Sequence, residues 1–203
     1  MTVESMSWEE WLAQQPPETP VCIGIDPGTT GAIAAVCATQ AYVLDIPIYH
    51  QPTKRTHHGK TKKVQAAEVD YPGIVALFAP LLSRREQVWV ALEQVPPRTS
   101  QRPISLADVK LYGSMMLWPL FLTSQQLRWR LVRPTEWKKS LGLTGKDKEA
   151  SRQRALQLFP AQEQLARKKD HHRAEAVLLA YWQQQNLPVL GGQSSSQRRK
   201  KSR

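Results

Sequence analysis

Val21-Cys22-Ile23-Gly24-Ile25-Asp26-Pro27-Gly28-Thr29-Thr30-Gly31-Ala32 is the stretch on which the reading of the fold turns. A β-branched run leads into one carboxylate, a Pro-Gly pair supplies a tight turn, and a second apolar run begins at once. A strand that ends on an acid in this way holds the carboxylate at a fixed depth, as a metal site requires. The same residues also read as a plain turn with Asp as its former. Working outward, apolar runs at 31–38 and 41–48 follow after short connections, so strands at 21–26, 31–38 and 41–48 are expected to form an antiparallel meander.

Beyond the meander the pattern changes. Residues 51–65 carry Lys54, Arg55, Lys60, Lys62 and Lys63 with little apolar content and read as a mobile basic loop. Ile74, Leu77, Phe78, Leu81 and Leu82 recur at helical spacing, which predicts a helix over 67–84. A fourth strand is expected at 87–95, a loop at 96–103, an apolar helix at 106–122 with Pro119 as kink or stop, and a fifth strand at 128–133. Helices at 146–158 and 171–185 close the chain. The expectation is a single α/β domain over 21–190, a mixed five-stranded sheet flanked by helices, with a short appendage over 1–20 and a disordered basic tail over 191–203.

Two further acids occupy settings like that of Asp26. Glu93 ends the run Val88-Trp89-Val90-Ala91-Leu92, and Glu175 lies on the last expected helix. Mg²⁺ takes oxygen ligands, usually one or two carboxylates with water and substrate phosphate. Two ions about 4 Å apart can activate a water and stabilise the leaving oxygen in phosphodiester hydrolysis, which needs three or four such groups converging from different elements. Taken singly, Glu93 also reads as a solvated strand end and Glu175 as a surface position. His171 and His172 precede Glu175 by four and three residues, which places each on its helical face, as a fourth metal ligand, a proton carrier or part of a solvated helix start. Asp170 lies off that face and suits an N-cap.

The net charge of +11 is unevenly spread: six acids and no bases precede Lys54, while 28 bases and 11 acids follow from there on. Such an excess implies a polyanion partner, because neutralising phosphates releases condensed counterions. Lys138, Lys139, Lys146 and Lys148 cluster around Leu141-Gly142-Leu143-Thr144-Gly145; Lys146 and Lys148 read as DNA contacts, Arg152 and Arg154 as a solvated face. Trp89, Trp118, Trp129 and Trp182 read as core, with Trp137, between Pro134 and Lys138, the one of this group most expected to be exposed. Cys22 and Cys37 lack metal-site spacing and read as buried thiols of a reducing compartment. No run is long and apolar enough for a membrane span, and the acidic N-terminus does not read as a signal peptide.

Four blocks, in order, carry a resemblance: Gly24-Ile25-Asp26-Pro27-Gly28; Ala91-Leu92-Glu93-Gln94-Val95; Arg133-Pro134-Thr135-Glu136-Trp137-Lys138-Lys139; and Arg173-Ala174-Glu175-Ala176. Together they resemble the RuvC-type Holliday-junction resolvases of the RNase H-like superfamily. The block from Leu141 to Lys148 looks most like the monokaryotic-chloroplast (plastid) branch and its bacterial and phage relatives. The resemblance runs from about Val21 to Gln185. It implies an RNase H-like sheet and a homodimer that nicks two opposing strands of a four-way DNA junction. It implies Mg²⁺, with Mn²⁺ as an alternative, at two ions per site, held by Asp26, Glu93, Glu175 and a group among His171, His172 and Asp170. The basic loop 51–65 and the loop 96–103, with Arg98 and Arg102, would lie against junction arms beside Lys138, Lys146 and Lys148, and the helix at 106–122 would pair two copies. The implied setting is the cytoplasm or nucleoid of a bacterium or phage-infected cell, or a plastid matrix. Competing readings are another RNase H-like nuclease and a non-catalytic junction- or DNA-binding protein; a sugar kinase with a similar Asp-Gly turn would need a longer chain.

Overall fold

In the computed structural model, residues 6–57, 60–95 and 104–188 are described. The first motif folds as expected. β1 (Val21–Asp26), β2 (Ala32–Cys37) and β3 (Gln40–Asp45) form an antiparallel meander, and β6 (Val88–Glu93) and β7 (Arg128–Val132) add in parallel on the other side of β1. The order β3-β2-β1-β6-β7 is a mixed five-stranded sheet, helices cover both faces, and β1 lies at its centre between β2 and β6.

Alternation along each strand divides the core into two layers. Ile23, Ile25, Ile33, Val90 and Leu92 point to one face, packed by α1 (Trp8–Ala13), α2 (Tyr71–Phe78) and α3 (Leu106–Ser124) through Trp8, Trp11, Ile74, Phe78, Trp118 and Leu122. Ala32, Ala34, Ala91 and Val132 point to the other, packed by α4 (Pro134–Ser140), α5 (Lys148–Leu158) and α6 (His171–Gln185). Gly24 shares that second face, and α6 lies directly on it: an added Cβ would meet the Ala176 carbonyl oxygen and sit 2.5 Å from Ala180 N. The small residues Gly24, Ala176 and Ala180 therefore set how closely α6 approaches β1. Residues 1–20, read as an appendage, contribute α1, whose Trp8, Trp11 and Leu12 are buried in the first layer. Cys22 and Cys37 are buried free thiols, and burial pushes the Cys22 thiol up to about 12.

Three local expectations are corrected and one is narrowed. The segment 51–65, expected as a mobile loop, belongs to a hairpin of β4 (Ile48–His57) and β5 (Lys60–Val69), a separate two-stranded sheet. The β-branched Thr53, Thr56, Thr61 and Val64 and a two-residue separation containing Gly59 are the signals for it. Its low apolar content removed the alternation that marks a half-buried strand. The helix expected from 67 starts later, because β5 runs to Val69 and the Asp70 side chain caps α2 by accepting from Gly73 N at 3.1 Å. Pro119 does not stop α3, which continues to Ser124 with Trp118 and Leu122 anchored on either side of it in the core. Residues 134–140, with no helix expected, form α4, with Pro134 at its first turn. The loop 96–103 with Arg98 and Arg102, and the tail over 191–203, lie outside the described residues. Among the described residues no helix is long and apolar enough to cross a membrane.

Candidate metal centre

Asp26 and Glu93 are the last residues of neighbouring parallel strands, and the register Ile25 with Leu92 brings them side by side. Both share parity with the residues that face α4–α6, Asp26 with Gly24 and Glu93 with Ala91. The close seating of α6 on Gly24 brings Glu175 over the same strand ends. As a result one carboxylate oxygen from each of Asp26, Glu93 and Glu175 lies within 4.8 Å of the others. Asp26 and Glu175 are 9% and 8% exposed, so these charges meet largely out of water. Like charges at such separations repel by about 3–4 kcal/mol per pair at an effective dielectric of about 20.

Each carboxylate has one oxygen engaged by a nitrogen of the protein. His172 Nδ1 lies 2.7 Å from Asp26 Oδ2, Trp137 Nε1 donates to Glu93 Oε1 at 2.9 Å, and Lys138 Nζ donates to Glu175 Oε1 at 2.7 Å. Ser151 Oγ adds a longer bond to the same Glu175 oxygen at 3.4 Å. Asp26 Oδ1, Glu93 Oε2 and Glu175 Oε2 have no such hydrogen bond among the described residues. A carboxylate only accepts, so the His172 contact carries its proton on Nδ1. The Glu93 carboxyl is pushed up to about 7: burial raises it most, the charges of Asp26 and Glu175 add to that, and the Trp137 N–H and the Lys138 charge oppose it.

The two candidate histidines separate. His172 reaches Asp26. His171 has its ring centroid 4.2 Å from that of His172 and its Nε2 3.1 Å from Lys148 Nζ. An ammonium only donates, so that Nε2 is a bare acceptor. Burial, with the charges of His172 and Lys148, holds the His171 pKa below its usual value. Asp170 occupies the position before α6, but its buried carboxylate is taken by Arg167, through the backbone N at 2.9 Å and Nε at 3.1 Å, and makes no cap bond to α6.

Trp137, expected to be exposed, is fully buried. It is the lone large apolar residue in Pro134–Ser140, and so short a helix shows no periodicity that would reveal its buried side. Lys138, read as a DNA contact, is half-buried on Glu175. Lys146 and Lys148 are exposed at the rim, and Lys54 and Lys63 are exposed and directly opposed on the hairpin. The backbone of Arg55, Lys60 and Lys62 lies in the same hairpin, with Arg55 in register with Lys62. A cleft of about 730 Å³ runs from Asp26 and His172 out between the root of β5 and α3, lined by Tyr49, Glu68, Lys110 and Ser114.

The donor set fits a hard divalent cation: three carboxylates and one imidazole, with negative charge only partly offset by Lys138. A scan of protein-family models matches none, and a search of curated proteins gives no match. Among solved structures the chain is similar to the Thermus thermophilus RuvC structure, at 12% identity and TM-score 0.41, over 81% of this chain and 95% of that one. It is similar also to T. thermophilus RuvC in complex with Holliday junction substrate, at 14% identity and TM-score 0.42, over 80% and 91% of the two chains.

Proposed function

We propose that this chain is a divalent-metal-dependent endonuclease on an RNase H-like fold that resolves four-way DNA junctions by symmetric paired nicks. The observation that carries the reading is the convergence of Asp26, Glu93 and Glu175 within 4.8 Å, with Asp26 also lining a cleft, on a strongly basic chain. Divalent cations held by these carboxylates, Mg²⁺ or Mn²⁺, would supply Lewis-acid activation of a water and neutralise charge at the scissile phosphate.

The chain's own residues do the rest. Asp26 and Glu93, fixed at adjacent strand ends, and Glu175, fixed by the seating of α6, present oxygens from three elements to one point. His172 orients Asp26 through Nδ1. Lys138 offsets the charge of Glu175 and is placed to turn toward a phosphate when cations take over that task. Lys54 and Lys63 on the hairpin, with Arg55, Lys60 and Lys62 in the same two strands, and Lys146 and Lys148 at the rim, meet the phosphate backbones of the junction arms; Arg98 and Arg102 have the same role. Val109, Met116, Leu117 and Leu120 form an exposed apolar face on α3 that suits pairing of two copies, as symmetric nicking requires.

The test is incubation with Mg²⁺ and a synthetic four-way junction, a linear duplex and an RNA–DNA hybrid. Paired, symmetric nicks in the junction alone are expected. Asp26→Asn should reduce nicking by about a thousandfold, the scale of several kcal/mol of lost transition-state stabilisation, and leave junction affinity within a few-fold. Preference for the hybrid or the linear duplex would replace junction resolution by another nuclease activity. Binding without cutting under any divalent metal would leave a junction-binding protein.

A further inference from the structure

We propose that the indole N–H of Trp137 is a positioning donor that holds Glu93 in place for cation binding, an inference that rests on the metal-nuclease reading above. Glu93 is the last residue of β6, and its carboxylate sits on a flexible two-methylene stem. The negative charges of Asp26 and Glu175, within 4.8 Å, push it away from the point where all three must meet. A fixed donor has to oppose that repulsion. Trp137 Nε1 does so at 2.9 Å, and the side chain that carries it is fully buried.

The donor itself is immobile. α4 begins at Pro134, the Trp137 carbonyl accepts from Ser140 Oγ at 2.9 Å and Leu141 N at 3.2 Å, and Leu143 N closes the following turn on the Lys138 carbonyl at 2.7 Å. The ring packs in the layer formed by Val132, Leu143 and α6. An indole N–H is neutral and donates only, so neither pH nor an arriving cation removes its capacity to donate. By engaging Oε1 it leaves Oε2 for a cation. The neighbouring residue of the same helix works differently: Lys138 is a flexible cation at the rim that a metal can displace. One short helix thus supplies a permanent donor to one carboxylate and an exchangeable one to another.

Trp137→Phe keeps the ring and removes the N–H. Isothermal titration of Mn²⁺ into the metal-free protein, without DNA, should show the dissociation constant rising about tenfold, the scale of a lost partner to a ligating carboxylate. Nicking by the variant should recover as Mn²⁺ is raised, which a merely structural defect would not do. Indole ¹H–¹⁵N spectra of the unmutated protein give a reading that does not depend on the variant folding: the assigned Trp137 signal should shift on Mg²⁺ addition and in Glu93→Gln. Mn²⁺ affinity within twofold of the parent, or a Trp137 signal indifferent to both Mg²⁺ and Glu93→Gln, would overturn the proposal. A parent that binds Mn²⁺, loses affinity in Trp137→Phe and yet never nicks a junction would sustain this role while removing junction resolution. A parent that binds no Mn²⁺ would remove both.

Discussion

Lys138 Nζ stands 2.7 Å from Glu175 Oε1, so the helix α4 places a cation against the carboxylate that α6 brings to the strand ends. Glu175 is buried and has two carboxylate neighbours. Without divalent metal, Lys138 is the lysine that offsets this surplus of negative charge. Lys138→Met should therefore lower the stability of the metal-free protein by about 1–2 kcal/mol, less than for a fully buried pair because the lysine is half-exposed. Saturating Mg²⁺ should recover most of that loss. Thermal melts with EDTA and with Mg²⁺ make the comparison, and an equal loss under both conditions would contradict the exchange of lysine for metal.

The Glu93 carboxyl, raised to about 7 from an ordinary 4.5 chiefly by burial and then by the Asp26 charge, gives a pH dependence of definite sign. Between those values the folded protein retains a proton that the unfolded chain has released, so this contribution to stability is complete below 4.5 and is lost as pH rises through 7. The metal-free protein should lose stability over that window, Glu93→Gln should flatten the slope, and Mg²⁺ should raise Tm more at pH about 8 than at pH about 5.5, because metal and proton compete for one carboxylate. Calorimetric scans across pH, with and without Mg²⁺, check all three.

Lys54 and Lys63 are exposed and directly opposed on the β4–β5 hairpin, an arrangement that costs stability in the free protein. A polyanion removes that cost. Lys63→Glu should stabilise the hairpin by up to about 1 kcal/mol by converting repulsion to attraction. The same change should weaken junction binding and reduce the slope of log affinity against log salt by about one phosphate contact. Hydrogen exchange on the hairpin and salt-dependent binding isotherms read the two effects, and unchanged binding would assign the hairpin to some other role.

Gly24 is a position at which the backbone of α6 lies directly against β1. The Cβ of Gly24→Ala would meet backbone of Ala176 and Ala180, which cannot yield as a flexible side chain would. A loss of about 3 kcal/mol or more is expected, and folded protein should bind Mn²⁺ more weakly, because lifting α6 carries Glu175 away from Asp26. Denaturant titration and metal titration of the variant together distinguish this from a purely local strain.

Much of this arrangement was legible along the chain. The run from Val21 to Ala32 shows two strands joined by a turn with an acid at the first strand's end, and Ile25, Asp26 and Gly28 are placed as that pattern requires. The run before Glu93 shows the second strand end, and α6 begins and ends where its pattern places it, at His171 and Gln185. Long elements with one buried face announce themselves through periodicity. The hairpin escaped because, among the described residues, only Val69 at its root is buried in the main core, too little to give a period, and α4 because seven residues with a single tryptophan have no period to read.

The amino-acid order by itself determined the meander, the central strands, the closing helix and three acids at the ends or on the face of these elements, because local propensity and alternation are properties of neighbouring residues. Only the tertiary structure decided which groups meet: that His172 and not His171 reaches Asp26, that Asp170 belongs to Arg167, and that Trp137 turns inward to Glu93 while Lys138 closes on Glu175. Those partnerships join residues many positions apart and depend on the height at which α6 rests on Gly24, a distance set by packing of backbone on backbone.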